Sequence, residues 1–106
     1  MGKLKRHYEE VVAPTWNYAG KIHDRDGHWS NAALGLAGEA GEVADIIKKM
    51  LYHAPKDRRE ELKLELGDVF YYLNQIMALS GLSLQEILEA NKDKLFARHK
   101  DRVNGR

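Results

Sequence analysis

The chain has 106 residues, 43% hydrophobic and 31% charged, with a formal net charge of +1. That length bounds it to one domain with a modest core, and the balanced charge supplies no bulk field for nucleic acid or a membrane surface. With no cysteine, disulfides and thiolate metal sites are excluded, and a reducing cytoplasm is the expected compartment.

The first residues, MGKLKRHYEE, hold no apolar signal segment, and no run approaches membrane-spanning length. Prolines are scarce, only Pro14 and Pro55, which favours helices. The first predicted helix covers residues 4–22, with Leu4, Tyr8, Val11 and Val12 at helical spacing and a kink or break at Pro14. HDRDGHWS, residues 23–30, is polar and turn-prone and reads as a loop. The second helix covers residues 31–52 behind a Ser30 cap. Leu36, Ala40, Val43, Ala44, Ile47 and Leu51 are its expected buried stripe. HAPKD then interrupts the chain, because a residue before proline resists helix.

The third helix covers residues 58–79. Asp57 and Glu60 have the spacing of a capping box, and Leu62, Leu66, Val69, Leu73, Ile76 and Met77 face inward. Gly81 is the natural left-handed stop. The fourth helix covers residues 83–100 from the capping box SLQE, with Leu84, Ile87, Leu88, Leu95 and Phe96 inward and a frayed DRVNGR tail. Long helices with short connections predict an all-α antiparallel bundle, closed on itself or on a second copy.

Two acidic pairs stand out. Glu39 and Glu42 share a helix face, as do Glu65 and Asp68, and both pairs border apolar stripes. Antiparallel packing of the two helices would bring four carboxylates to one spot, where their repulsion calls for a cation. Hard oxygen ligands select Mg²⁺ or Mn²⁺, and the absence of any Glu-x-x-His pair argues against a carboxylate-bridged di-iron site. A Glu-x-x-Glu on a helix is also what a solvated face looks like, although like charges three apart give that face no energy. On the fourth helix Asn91, Lys94 and Arg98 fall on one side, where they suit phosphate oxygens or a salt-bridged surface. Lys49 can likewise touch phosphate or pair with a carboxylate. A metal cluster beside a basic stripe points to a metal-bound polyphosphate.

GLAGEAGE, residues 35–42, places Gly35, Gly38 and Gly41 slantwise beside the first acidic pair, although each glycine costs a helix roughly 1 kcal/mol. The expectation is clearance at the acidic rim for a helix, for phosphates or for a base. Close helix packing without a ligand role is the competing reading.

GLAGEAGEVADIIKK, ELGDVFYYL and NKDKLFARH together resemble the all-α nucleoside triphosphate pyrophosphohydrolases of the MazG-like superfamily. Its hallmark, Glu-x-x-Glu followed by Glu-x-x-Asp, corresponds here to Glu39, Glu42, Glu65 and Asp68, with 22 residues between the pairs. The resemblance runs from about residue 28 to residue 98. It implies Mg²⁺ held by the four acids and hydrolysis of an NTP or dNTP to the monophosphate and pyrophosphate by a metal-activated water. It also implies a homodimer or homotetramer with sites built partly from neighbouring subunits; Lys49, Asn91, Lys94 and Arg98 are the candidates for the phosphates. Asp45 rotates away from Glu39 and is a supporting residue at most. His28, Trp29 and Tyr72 are the candidates for the base, while Trp16 reads as core or dimer interface and His53 as loop. The alternatives are a non-catalytic helical binding module on the same scaffold and a hydrolase of another pyrophosphate compound.

Overall fold

The computed structural model describes residues 2–53 and 57–103. Among the described residues, four α-helices run α1 (Gly2–Val12), α2 (Arg25–Tyr52), α3 (Arg59–Ser80) and α4 (Leu84–Val103), with a 3₁₀ turn at Ala13–Thr15. The all-α expectation holds, and there is no strand among the described residues. The expected break at Pro55 lies outside the described residues.

The element ends follow from local hydrogen bonding. α1 stops at Val12, earlier than expected, because Pro14 lacks an N–H and its ring opposes a continuing α-helix. The chain instead makes the 3₁₀ turn, where Pro14 takes an early position and Thr15 Oγ1 donates to the Val12 carbonyl at 2.6 Å. α2 begins six residues before the predicted Asn31. Asp24 is its cap, accepting the Gly27 N–H at 2.8 Å. HDRDGHWS is therefore mostly the first two turns of α2, and His28 and Trp29 are helical residues instead of loop residues.

At α3 the predicted capping box does not form. Asp57 accepts from the Arg59 N–H at 2.9 Å, while Glu60 turns outward to Lys63 at 2.7 Å. The helix ends as predicted: Gly81 adopts φ 71°, and its N–H and that of Leu82 both reach the Met77 carbonyl. The Ser83 box forms in full, with Glu86 N–H donating to Ser83 Oγ at 3.1 Å and Ser83 N–H donating to Glu86 at 2.7 Å. The Ser83 N–H first, and the Ser83 hydroxyl second, hold the Glu86 carboxyl below its ordinary pKa. α4 continues through Val103, so the first half of the expected frayed tail is helix.

α2 and α3 pack as an antiparallel hairpin, with Gly35 opposite Tyr72 and Glu39 opposite Glu65 and Asp68. The buried residues are Ala32 and Ile46 from α2 and Met77 from α3. The α2 face toward α3 is thus the row Ala32, Gly35, Glu39, Val43, Ile46 and Met50, one position off the predicted stripe. The predicted stripe points largely outward, with Ile47 42% and Leu51 62% exposed. α2 carries two apolar faces, and periodicity could not say which of them meets α3.

α1 lies along α3 through Tyr8 and Phe70, whose rings meet edge-on at 5.5 Å. An apolar groove of about 330 Å³ opens between Leu4, Tyr8, Phe70 and Leu84. Beyond this point α4 leaves the hairpin. Leu88, Leu95 and Phe96, expected inward, are exposed, as is every residue from 88 to 103. The chain presents 8465 Å² of surface, where a compact monomer of 12.1 kDa presents about 6000 Å². Its radius of gyration is 17.4 Å, against about 13 Å for a compact domain of this length.

Candidate metal centre

Helical spacing and hairpin register together build the acidic site. Glu39 lies on the α2 face toward α3, between Gly35 and Val43; Glu65 and Asp68 lie one turn apart on α3. The antiparallel register brings carboxylate oxygens of Glu39, Glu65 and Asp68 within 4.8 Å of one another. Glu39 and Glu65 are half-buried and Asp68 is exposed. Glu42, one turn further along α2, stays exposed and outside this group. Three of the four expected acids therefore converge in the chain by itself.

The three are an uncomfortable set without a cation. Glu65 Oε2 is shut off from solvent and has no hydrogen-bond partner. The Glu65 carboxyl is raised above its ordinary pKa, first by hydrogen bonding to Glu39, then by burial, then by the charges of Glu39 and Asp68. A buried, orphaned carboxylate oxygen facing two further carboxylates offers hard oxygen donors of the kind that suit a divalent cation.

An aromatic cluster adjoins the acids. The Tyr72 ring lies against α2 where Gly35 leaves room, and a Cβ at Gly35 would overlap it. Burial, then the charges of Glu39, Tyr71 and Asp68, raise the Tyr72 hydroxyl, so it stays protonated at neutral pH. Tyr8 is raised in the same direction by burial, then by Tyr71 and Asp68. Tyr71 and Tyr72 meet edge-on at 5.2 Å, and Trp16 lies 6.0 Å and 5.9 Å from their ring centres. Thr15 Oγ1 and the Tyr71 hydroxyl are 2.7 Å apart. Trp16 Nε1 donates to His28 Nδ1 at 2.9 Å.

Of the predicted base-side residues, His28 and Tyr72 thus join one cluster through Trp16, and Trp29 is half-buried on α2 beside His28. The Trp16 link escaped the sequence reading because its partners come from α2 and α3. The clearance expected of three glycines belongs to Gly35. A Cβ at Gly38 or Gly41 would meet nothing within 4 Å.

The phosphate-side candidates are elsewhere in the chain. Lys49 pairs with Asp45 at 3.0 Å, one turn back on α2, and that bond holds the Asp45 carboxyl down. Asn91, Lys94 and Arg98 are exposed on α4, away from the hairpin. Asn74 lines a small cleft with Glu9, Val12 and Tyr71 between α1 and α3, and His53 caps the end of α2.

The family model described as the MazG nucleotide pyrophosphohydrolase domain matches residues 27–103. The chain belongs to the MazG family. It is also similar to the gene 37 protein of Mycobacterium phage L5, 38% identical over 77 residues, which span 69% of this chain and 67% of that protein. No solved structure matches. The matched MazG region contains all four acids, the aromatic pair of α3 and the α4 cations. No described helix is long and apolar enough to cross a membrane.

Proposed function

We propose that this MazG domain is a Mg²⁺-dependent pyrophosphohydrolase that splits a nucleoside triphosphate, ribo- or deoxyribo-, into the monophosphate and pyrophosphate. The observation that carries the reading is the convergence of Glu39, Glu65 and Asp68 on the α2–α3 hairpin, with Glu65 Oε2 left without a partner. These three residues would hold Mg²⁺ or Mn²⁺, with Glu42 one turn away as the fourth acid. When bound, the ion supplies positive charge for the polyphosphate and acidifies water.

The protein's own groups divide the remaining work. Glu65, whose carboxyl the hydrogen bond to Glu39 raises, gives up its proton when a cation binds beside it. Lys49, Asn91, Lys94 and Arg98 bind phosphate oxygens, the guanidinium with two donors in a plane and the amines as point charges. α4 projects away from its own acids and leaves an apolar side uncovered. Its cations therefore serve the acidic site of a neighbouring copy, in a homodimer or homotetramer. His28, Trp29 and Tyr72 take the base, by stacking and by an edge hydrogen bond.

The test is incubation with a panel of NTPs and dNTPs and Mg²⁺, with identification of products. Pyrophosphate and a monophosphate are expected; inorganic phosphate with a diphosphate would refute the assignment. Glu42→Gln and Asp68→Asn should each abolish turnover and leave the helical circular dichroism intact. Full activity in either variant would rule out its place in the metal site.

A further inference from the structure

The Trp16 indole has a single polar atom, a donor. That donor meets His28 Nδ1 at 2.9 Å. A neutral imidazole that accepts at Nδ1 carries its proton on Nε2. Both partners are held in place. The Asn17 side chain closes the segment after Trp16 with two bonds to Ile22, donating to its carbonyl at 2.9 Å and accepting its N–H at 3.2 Å. A Cβ at Gly27 would come within 3.1 Å of Ile22 Cγ2, so glycine there lets this segment close on α2 beside His28. The other side of the indole packs on Tyr71 and Tyr72.

We propose that Trp16 is a positioning residue that locks His28 in its Nε2–H tautomer. An unrestrained neutral imidazole offers either a donor or an acceptor at Nε2. The locked one offers only a donor, and so selects a base edge that presents an acceptor, a carbonyl oxygen or an unprotonated ring nitrogen. This role rests on the assignment of His28 to the base under the proposed function; the lock itself does not.

Trp16→Phe keeps an aromatic ring against Tyr71 and Tyr72 and removes the N–H. The imidazole nitrogens of the nucleotide-free protein are read by ¹H–¹⁵N correlation spectra, with His28 assigned by the loss of its signals in His28→Gln. The wild type should show Nε2 protonated and Nδ1 bare, and Trp16→Phe a mixture of both tautomers. A protonated Nδ1 in the wild type, or an unchanged spectrum in Trp16→Phe, overturns the lock. On a triphosphate that the wild type hydrolyses, Trp16→Phe should raise KM about twofold, the inverse of the Nε2–H fraction left in an even mixture, with kcat unchanged. Added to His28→Gln, it should leave KM unchanged. An equal rise in both backgrounds means that Trp16 acts through packing alone and overturns the selection role. If the wild type hydrolyses no triphosphate, the proposed function falls and the base contact with it, while the nitrogen spectrum still decides the lock.

Discussion

Glu65 brings the stability and the chemistry of the site into conflict. Its carboxyl is raised in the folded chain by hydrogen bonding to Glu39, by burial and by the neighbouring charges. The folded state therefore holds a proton that the unfolded chain releases at lower pH. The stabilisation from this group is complete below the unfolded glutamate value and fades as pH climbs through the raised folded value. Metal-free protein should thus lose thermal stability as pH climbs above the unfolded glutamate value, and Glu65→Gln should flatten that dependence while abolishing Mg²⁺-dependent turnover. Differential scanning calorimetry of both proteins in chelator checks it; parallel pH profiles would show that Glu65 is not the source.

Gly35 and Gly38 make a second contrast between single residues. At Gly35 an added methyl must displace the Tyr72 ring, and such overpacking costs about 1–3 kcal/mol, more than the roughly 1 kcal/mol gained in helix propensity. Gly35→Ala should then be destabilised, by about 1 kcal/mol. Gly38→Ala, with open space around it, should be stabilised by about 1 kcal/mol. Urea midpoints at one fixed protein concentration distinguish the two. Equal shifts would dissociate Gly35 from Tyr72.

At the scale of the helices, ends were readable where the capping chemistry was local. The SLQE box and Gly81 involve residues at most five apart, and both form as the sequence predicts. Ser83→Ala should cost the first turn of α4 about 1 kcal/mol, seen as faster amide exchange at Glu86 with little change at Met77. The start of α2 was misread because Asp24 and Ser30 are both competent caps. The choice went to Asp24, where the Asn17–Ile22 bonds close the segment before it and Gly27 admits Ile22. The inward face of α2 was misplaced for a related reason. Leu36–Ala40–Val43–Ile47 and Ala32–Gly35–Val43–Ile46 are both credible helical rows. Only the row with small residues lets Tyr72 approach.

For the whole molecule, the dominant feature is apolar surface without cover. Leu34, Leu51, Leu64 and Phe96 are each 62–71% exposed, and the surface area is some two-fifths above that of a compact monomer. Large apolar side chains left bare on three helices are what contact with a second copy would cover. Sedimentation should find the chain as a dimer or tetramer, and Leu51→Glu together with Phe96→Glu should shift it toward the 12.1 kDa monomer. If α4 serves a neighbour's site, inactive Asp68→Asn and inactive Arg98→Ala proteins should regain activity when mixed and allowed to exchange subunits. No recovery after proven exchange would place both groups in one chain.

The sequence by itself determined the all-α class, the four helical segments, the Gly81 stop, the α4 cap and the helix faces on which the two acidic pairs lie. Each depends on spacing along one helix or on hydrogen bonds a few residues long, and those are written into the order of residues. The tertiary structure alone decided which apolar face of α2 meets α3, that Glu39, Glu65 and Asp68 converge while Glu42 stands aside, and that Trp16 reaches His28. Each of these is a contact between elements. Its energy depends on the register and rotation of two helices, and many near-equivalent rows on one helix compete until the partner's side chains choose between them.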